Sequence, residues 1–360
     1  MRICVLKKIV MLPVFFIVTM GFLPAQNSSE CELKYSNSEQ INCFVYHRFG
    51  DNRYPSTNIS MADFRQHLEF LKENNFKVFT LGEALSLSDK NKLPEKTVVL
   101  TVDDGYQSFL ENGIPLLREF DYSATLFINT NQFGSGDFLS VKQIKQLHDE
   151  GIEIGNHSHS HAHFVNLAPE ERLDSFRNDL LKSQKIFAEK LGIQPQLYAY
   201  PYGEYTPEMQ EVLKEFGYKG AAAQKSGVIA SFSNKFTLPR FPMAGPFVSI
   251  ESFKQKAQMK ALPVKPENAE SPLIANENPP QLKLKLIQPE QINRNQIQFF
   301  ADGNKQNNIE IDRENNIITV QAGFPLKPRR TLYTVTAPSK TSPVKWHWYS
   351  FLWINSSVEE

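Results

Sequence analysis

No charge of either sign predominates in this 360-residue chain, where 39 Lys+Arg stand against 39 Asp+Glu. A balanced chain has no basic field to draw in nucleic acid. Past residue 25, no stretch is apolar for long enough to span a membrane. Internal repeats and low-complexity tracts are absent as well. Cysteine is scarce, with Cys4, Cys31 and Cys43 only. What is present is an ordinary globular composition, 41% hydrophobic and 22% charged. The length suffices for more than one domain.

Arg2, Lys7 and Lys8 precede an uncharged apolar run from Ile9 to Leu23, which ends at Pro24-Ala25. Basic start, apolar middle and small-residue exit are the parts of a secretory leader. The alternative is an uncleaved anchor, but a run of 15 residues containing Pro13 is short of the about 20 that a spanning helix needs. Residues 1–25 are therefore expected to be a signal peptide, and the mature chain to be secreted or periplasmic with no stable membrane span. Cleavage removes three cations and leaves 36 Lys+Arg against 39 Asp+Glu. It also removes Cys4, leaving Cys31 and Cys43 able to pair in an oxidising space or to stay free.

From about residue 40 to 262 short apolar runs alternate with amphipathic segments. Strands are expected at Phe44–Tyr46, Val98–Val102, Ala124–Ile128, Ile152–Ile154 and Leu197–Tyr200. Helices are expected after Ser60, from Val141 towards Gly151, from Pro169 to Leu191 and from Pro207 to Phe216. Strands that alternate with helices pair in parallel, which makes an α/β layer or barrel. Residues 263–281 carry Pro263, Pro266, Pro272, Pro279 and Pro280 and read as a linker. Beyond them the apolar period is two, as in Leu282, Leu284 and Leu286, and turn residues separate the runs. Residues 282–357 are expected to form a small all-β, sandwich-like domain. It holds Trp346, Trp348 and Trp353. The first two share one strand face, suited to stacking on sugar rings or to filling a core.

Four stretches at strand ends carry chemistry. Asp103-Asp104-Gly105 places two carboxylates on diverging sides of a strand, so one can face a metal and the other a substrate. Asn156-His157-Ser158-His159-Ser160-His161-Ala162-His163 packs four of the eight histidines into seven residues. His157 and His161 are four apart, so one helical turn aligns them, while His159 and His163 are rival ligands. Two imidazoles and a carboxylate suit a catalytic metal with open positions. Tyr200-Pro201-Tyr202-Gly203 is a tight aromatic loop able to wall a sugar pocket and to offer a backbone N–H to an oxyanion. Tyr46-His47 ends the first strand. All four lie at the same end of parallel strands, where α/β sites are built.

The pair Asp103-Asp104-Gly105 and His157-Ser158-His159-Ser160-His161 resembles two motifs of the polysaccharide deacetylase family, carbohydrate esterase family 4. The resemblance covers roughly residues 40–245 and implies a distorted, incomplete (β/α) barrel. It implies Asp103 as general base and Asp104, His157 and His161 as ligands of a divalent metal, zinc or cobalt, with zinc the first choice. It implies a polysaccharide substrate and hydrolysis of its acetyl groups, N-acetyl groups of N-acetylglucosamine units first. The family's third motif is matched by Pro201-Tyr202-Gly203, but Ala199 stands where the family has an arginine that orients the base. Arg240 is the candidate replacement. No histidine lies between Tyr218 and Pro263, where the family's acid usually is. The opening Tyr46-His47 looks like the poly-N-acetylglucosamine deacetylase branch, whose domain is circularly permuted, and makes His47 the candidate acid. Two other readings stand beside this one. A degenerate site would leave a non-catalytic glycan-binding or scaffold protein. A non-haem iron oxygenase would use a strand-borne His-x-Asp pair, which is absent.

Overall fold

Residues such as Thr97-Val98-Val99-Leu100-Thr101-Val102 offer water no polar face, and they form a strand buried along its whole length. The computed structural model describes residues 39–359, apart from positions 270, 276, 303, 305, 306 and 343. The leader expected at residues 1–25, and Cys31, lie outside these residues. Cys43 is buried with a free thiol.

The first part runs β1 (Gln40–Tyr46), α1 (Met61–Glu73), β2 (Lys77–Phe79), α2 (Leu81–Asp89), β3 (Thr97–Val102), α3 (Ile114–Phe120) and β4 (Thr125–Ile128). It continues through α4 (Val141–Asp149), β5 (Glu153–Asn156), α5 (Pro169–Ile186), β6 (Leu197–Ala199), α6 (Pro207–Glu215) and β7 (Gly220–Ala222). Then come β8 (Ile229–Ala230), β9 (Phe241–Pro242) and α7 (Ile250–Ala257). The sheet order is β8-β1-β3-β4-β5-β6-β7, with β2 beside β3 and β9 beside β1. From β1 to β7 all neighbours are parallel, and the sheet curls into a half-barrel. Local chemistry starts the helices where the sequence says. Ser60 Oγ accepts the Asp63 N–H at 3.1 Å. Thr80 with Glu83 and Ser140 with Gln143 form complete capping boxes at α2 and α4. The helix expected to reach Leu191 is α-helical to Ile186 and widens into a π turn over Phe187–Leu191, closed by Gly192 at φ 74°.

The second part is two four-stranded sheets. One has the order β10 (Lys260–Ala261), β17 (Trp346–Ile354), β16 (Arg330–Pro338), β13 (Gln298–Ala301). The other has β11 (Val264–Pro266), β12 (Gln281–Leu286), β15 (Ile317–Ala322), β14 (Asn307–Asp312). Leu282, Leu284, Ile318 and Val320 from one sheet meet Phe299, Tyr333, Val335 and Phe351 from the other in one core. The proline-rich stretch expected as a linker is pinned along part of its length. Val264–Pro266 pairs with Leu284–Leu286, and Ile274 donates its N–H to Ile354 O at 2.9 Å. Five prolines restrict a chain to extended backbone, which serves an edge strand as well as it serves a spacer. The tryptophans divide. Trp353 is in the sandwich core, while Trp346 and Trp348 pack against the core of the half-barrel. Among the described residues no helix is long and apolar enough to cross a membrane.

Candidate active site

Parallel strands bring their C-terminal ends to one edge, and the four chemical stretches follow from that. His47 leaves β1, Asp103 and Asp104 leave β3, His157 leaves β5, and Pro201–Gly203 leaves β6. The chain must turn hard at each exit. Asp104 (φ 73°), Gly105 (φ 81°), Ser158 (φ 71°), His161 (φ 54°) and Tyr202 (φ 57°) all take the left-handed region. Non-glycine residues held there cost about 1–3 kcal/mol each, and such strain gathers at functional sites. At Gly105 the turn leaves no alternative, since a Cβ would sit 2.7 Å from Ile128 Cγ2.

Asp103 and Arg240 form a closed pair, both 0% exposed. Arg240 Nη1 donates to Asp103 Oδ1 at 2.7 Å and Nη2 to Oδ2 at 2.8 Å. The fork is completed by Nη1 to Thr101 Oγ1 at 3.2 Å and Nε to Ala223 O at 3.2 Å. Burial pushes the Asp103 carboxyl up, but the Arg240 charge, then His157, then the Arg240 hydrogen bonds hold it below its ordinary value. Asp103 is thus a carboxylate with a fixed orientation.

Asp104, His157 and His161 offer ligand atoms that all lie within 4.8 Å of one another. Asp104 Oδ1 is 3.5 Å from His157 Nε2 and 3.4 Å from His161 Nε2. The two Nε2 atoms are 3.2 Å apart. His157 Nδ1 lies 2.8 Å from Ala199 O. A carbonyl only accepts, so Nδ1 carries the proton and the Nε2 lone pair points at Asp104 and His161. That is the tautomer a metal ligand needs, held by an outer partner. Lone pairs converging on a carboxylate oxygen repel unless a cation or a proton joins them, and the donor set fits a divalent metal. Burial lowers the pKa of His157, but a hydrogen bond that only the protonated ring can give Asp104, with the charges of Asp103 and Asp104, leaves it raised.

The expected helical turn does not occur at His157–His161. Polar side chains shape a loop instead. Asn156 Oδ1 accepts the Ser158 N–H at 2.9 Å, and Ser158 Oγ accepts the His161 N–H at 2.8 Å. Asp179 of α5 accepts the N–H groups of His159 (2.7 Å) and Ser160 (2.9 Å) and the Ser160 hydroxyl (2.6 Å). The left-handed turns at Ser158 and His161 then bring the two imidazoles together without a helix. The rival histidines are engaged elsewhere: His159 Nδ1 lies 2.9 Å from Thr130 Oγ1, and His163 Nδ1 lies 2.9 Å from Glu204 Oε2.

Tyr202 forms one wall. Its ring stacks on His163 (3.7 Å between centroids, 11°) and meets the edge of His161 at 4.7 Å. Pro201 is buried beside it. A Cβ at Gly203 would lie 2.3 Å from Gln224 N, so this loop is pressed flat on the segment after β7. Tyr200, from the aromatic loop expected to wall a sugar pocket, and Arg240, the candidate replacement for the missing arginine, are both 0% exposed. Tyr200 packs in the core between Tyr198 and Tyr205, and Arg240 reaches the site only through Asp103. The buried Nδ1 of His47 has no hydrogen-bond partner among the described residues.

Several residues that shape the site escaped the sequence reading. Asp179 sits in the middle of a helix that looks solvent-facing. Glu204, buried, binds Arg329 Nε at 2.7 Å and Nη2 at 2.8 Å from the β-sandwich. No local pattern links residues 125 apart in the chain.

Comparisons with known proteins agree on a family. The profile described as Polysaccharide deacetylase matches residues 90–221. The chain is 26% identical over 264 residues to the poly-beta-1,6-N-acetyl-D-glucosamine N-deacetylase of Staphylococcus aureus, covering 66% of this chain and 90% of that protein. The structure of IcaB from Ammonifex degensii matches with TM-score 0.54 and 27% identity, over 61% of this chain and 96% of that one. Streptococcus pyogenes deacetylase PplD in complex with acetate shares the fold with TM-score 0.55 at 22% identity, over 61% of this chain and 98% of that one. The matched segment opens ahead of β3 and closes inside β7, so it takes in both the carboxylate turn and the histidine loop, and the chain carries a polysaccharide deacetylase domain there.

Proposed function

We propose that this hydrolase removes N-acetyl groups from an exported polysaccharide built of N-acetylglucosamine units, with Asp104, His157 and His161 holding a divalent metal, zinc before cobalt. The observation that carries the reading is the convergence of those three ligand atoms beside a carboxylate, Asp103, that Arg240 grips at both oxygens. The substrate class rests on the likeness to the staphylococcal N-deacetylase and to IcaB. Export rests on the leader pattern of residues 1–25. The reading of the domain as circularly permuted is supported by β1, which lies upstream of the matched segment yet pairs with β3 and delivers His47.

A bound divalent metal supplies carbonyl polarisation and a more acidic water. The remaining work falls to the chain. Asp103 takes a proton from the attacking water, and the Arg240 fork keeps it anionic and aimed. The backbone N–H of Tyr202 is the protein donor to the oxyanion, and the Tyr202 ring with His163 closes one side of the cleft. His47 gives a proton to the leaving amine nitrogen, which an amide needs because an unprotonated amine leaves poorly.

The test is acetate release by the mature chain from a panel of defined N- and O-acetylated glycans, with and without added Zn²⁺ or Co²⁺. Metal-dependent release from poly-N-acetylglucosamine is expected. His157→Ala is expected to stay folded and lose the metal by elemental analysis. A folded His157→Ala protein with full metal occupancy overturns the ligand assignment.

A further inference from the structure

The seam between half-barrel and sandwich holds a cavity of about 480 Å³. Ligand pockets typically span about 300–1,000 Å³. Its lining comes from α6, the segments flanking β8, the β10–β11 region and β17, and includes none of Asp103, Asp104, His157 or His161. It is a separate site.

Lys225 carries its buried charge. The residue is 9% exposed, and among the described residues the hydrogen-bond partner of its Nζ is Thr237 Oγ1 at 3.2 Å. Among the described residues no carboxylate is paired with it, and burial pushes its pKa down to about 8. An ammonium has three donors, and burying one without a counter-charge is costly unless something completes it. Glu211, the acid in the lining, is already paired with Lys214 at 2.6 Å, which leaves the buried Lys225 amine to draw an anion. Val228, Phe232, Trp348 and Phe351 add apolar and aromatic lining. Trp348 lines the cavity, held by Nε1 donating to Ser350 Oγ at 2.9 Å and by edge contact with Phe241. A flat indole face beside an anion-seeking amine suits a ring with apolar C–H faces and one acidic substituent.

We propose that this seam cavity binds a saccharide unit bearing an anionic group, the acidic oxygens on Lys225 Nζ and Thr237 Oγ1 and the ring against Trp348. The same chemistry fits a carboxylate or a phosphate ester on the sugar. The inference does not rest on the deacetylase reading, because the two sites share no lining residue.

The test is calorimetric titration of the full chain with glucuronate, glucose 6-phosphate, N-acetylglucosamine and inorganic phosphate. Binding of glucuronate or glucose 6-phosphate is expected, the stronger of the two naming the acid. Lys225→Met should weaken it about 10- to 100-fold, the worth of a hydrogen bond to a charged group. It should also raise Tm in the absence of ligand, since an unpaired buried charge is gone, so a loss of binding is not a loss of fold. Trp348→Ala should weaken the acidic sugar and leave inorganic phosphate unchanged. N-acetylglucosamine binding as tightly as the acids overturns the proposal, as does inorganic phosphate matching glucose 6-phosphate. Acid binding that survives Lys225→Met places it elsewhere, at the metal centre for instance, and overturns it too. So does no binding at all.

Discussion

Asp103 and Asp104 are adjacent, yet their surroundings give them opposite tasks. Asp103 is sealed against Arg240, while Asp104 turns through the left-handed region towards two imidazoles. Arg240→Met should therefore cost more than a contact. It strands a buried carboxylate, and breaking a buried pair typically costs about 3–5 kcal/mol. The sign with pH follows. In the wild type the depressed Asp103 pKa contributes stability that is present above the unfolded value and lost as pH falls through the folded one. Without Arg240, burial dominates and raises that pKa. The variant should then gain stability on acidification, and the acid limb of its kcat/KM profile should move to higher pH. An unmoved acid limb would show that Arg240 does not set the charge of the base. His47 gives a second test. His47→Ala should keep the metal and lose about 10²–10⁴ in kcat on an acetamide, the usual worth of a general acid. The loss should be much smaller on an activated aryl acetate, whose leaving group needs no proton. Equal losses on both substrates would make His47 a binding or structural residue. At this scale the sequence was informative where a motif is contiguous. Asp103-Asp104-Gly105 and the histidine loop are readable because strand exit, turn and ligand lie within a few residues. Arg240 was reachable only as the answer to a gap, Ala199 in place of an arginine, since 137 positions separate it from Asp103.

At the scale of elements, period and caps located most strands and helices. Buried strands such as Thr97–Val102 are continuous apolar runs, and Ser60 announces its helix, while α2 behind the Thr80–Glu83 capping box was not among the expected helices. The spacing of His157 and His161 misled, because i,i+4 is a helical signal only when the backbone is free to be helical. Here Asn156, Ser158 and Asp179 supply side-chain partners that outcompete the helix. Nothing in α5 marks Asp179 for this, since an acid among Arg177, Asn178 and Lys182 looks solvated. Its three accepted hydrogen bonds make it the anchor of the loop, and outer supports of metal ligands are typically worth about 10–100-fold in metal affinity or activity. Asp179→Ala should therefore weaken divalent-metal binding by about that factor with Asp104, His157 and His161 all intact. Competition with a chromophoric chelator measures it. A wild-type dissociation constant in a folded variant would show that the left-handed turns hold the loop unaided.

At the scale of the whole molecule, the two parts meet through buried charge as well as through Trp346 and Trp348. Glu204 follows the Pro201–Gly203 turn and is 3% exposed. It receives Arg329 Nε and Nη2 and, at 3.3 Å, Arg330 Nη1, all from the sandwich, and it holds His163 on the other side. His163 in turn lies flat on Tyr202. A chain of contacts thus runs from the second part to the wall of the cleft. Reading 263–281 as a spacer hid this, because composition shows where a chain can be extended but not what it lies against. Arg329→Met should leave Glu204 to Arg330, at 3.3 Å, and His163, and cost at most the about 3–5 kcal/mol of a buried pair broken on one side. Replacing both partners by neutral groups of similar shape should cost less than the charge-stranding single change. Chemical denaturation of Arg329→Met, Glu204→Gln and the double variant therefore forms a cycle, and the double variant is expected to lose less stability than the sum of the two single losses. The same three proteins separate a structural seam from a functional one. If the pair merely glues the parts together, kcat and KM stay at their wild-type values in every variant that remains folded. If it positions Tyr202 through His163, KM for a polymeric glycan rises in both single variants while kcat on a small aryl acetate is retained. Additive stability losses across the cycle, with unchanged KM, would remove the Glu204–Arg329 pair from any account of the site.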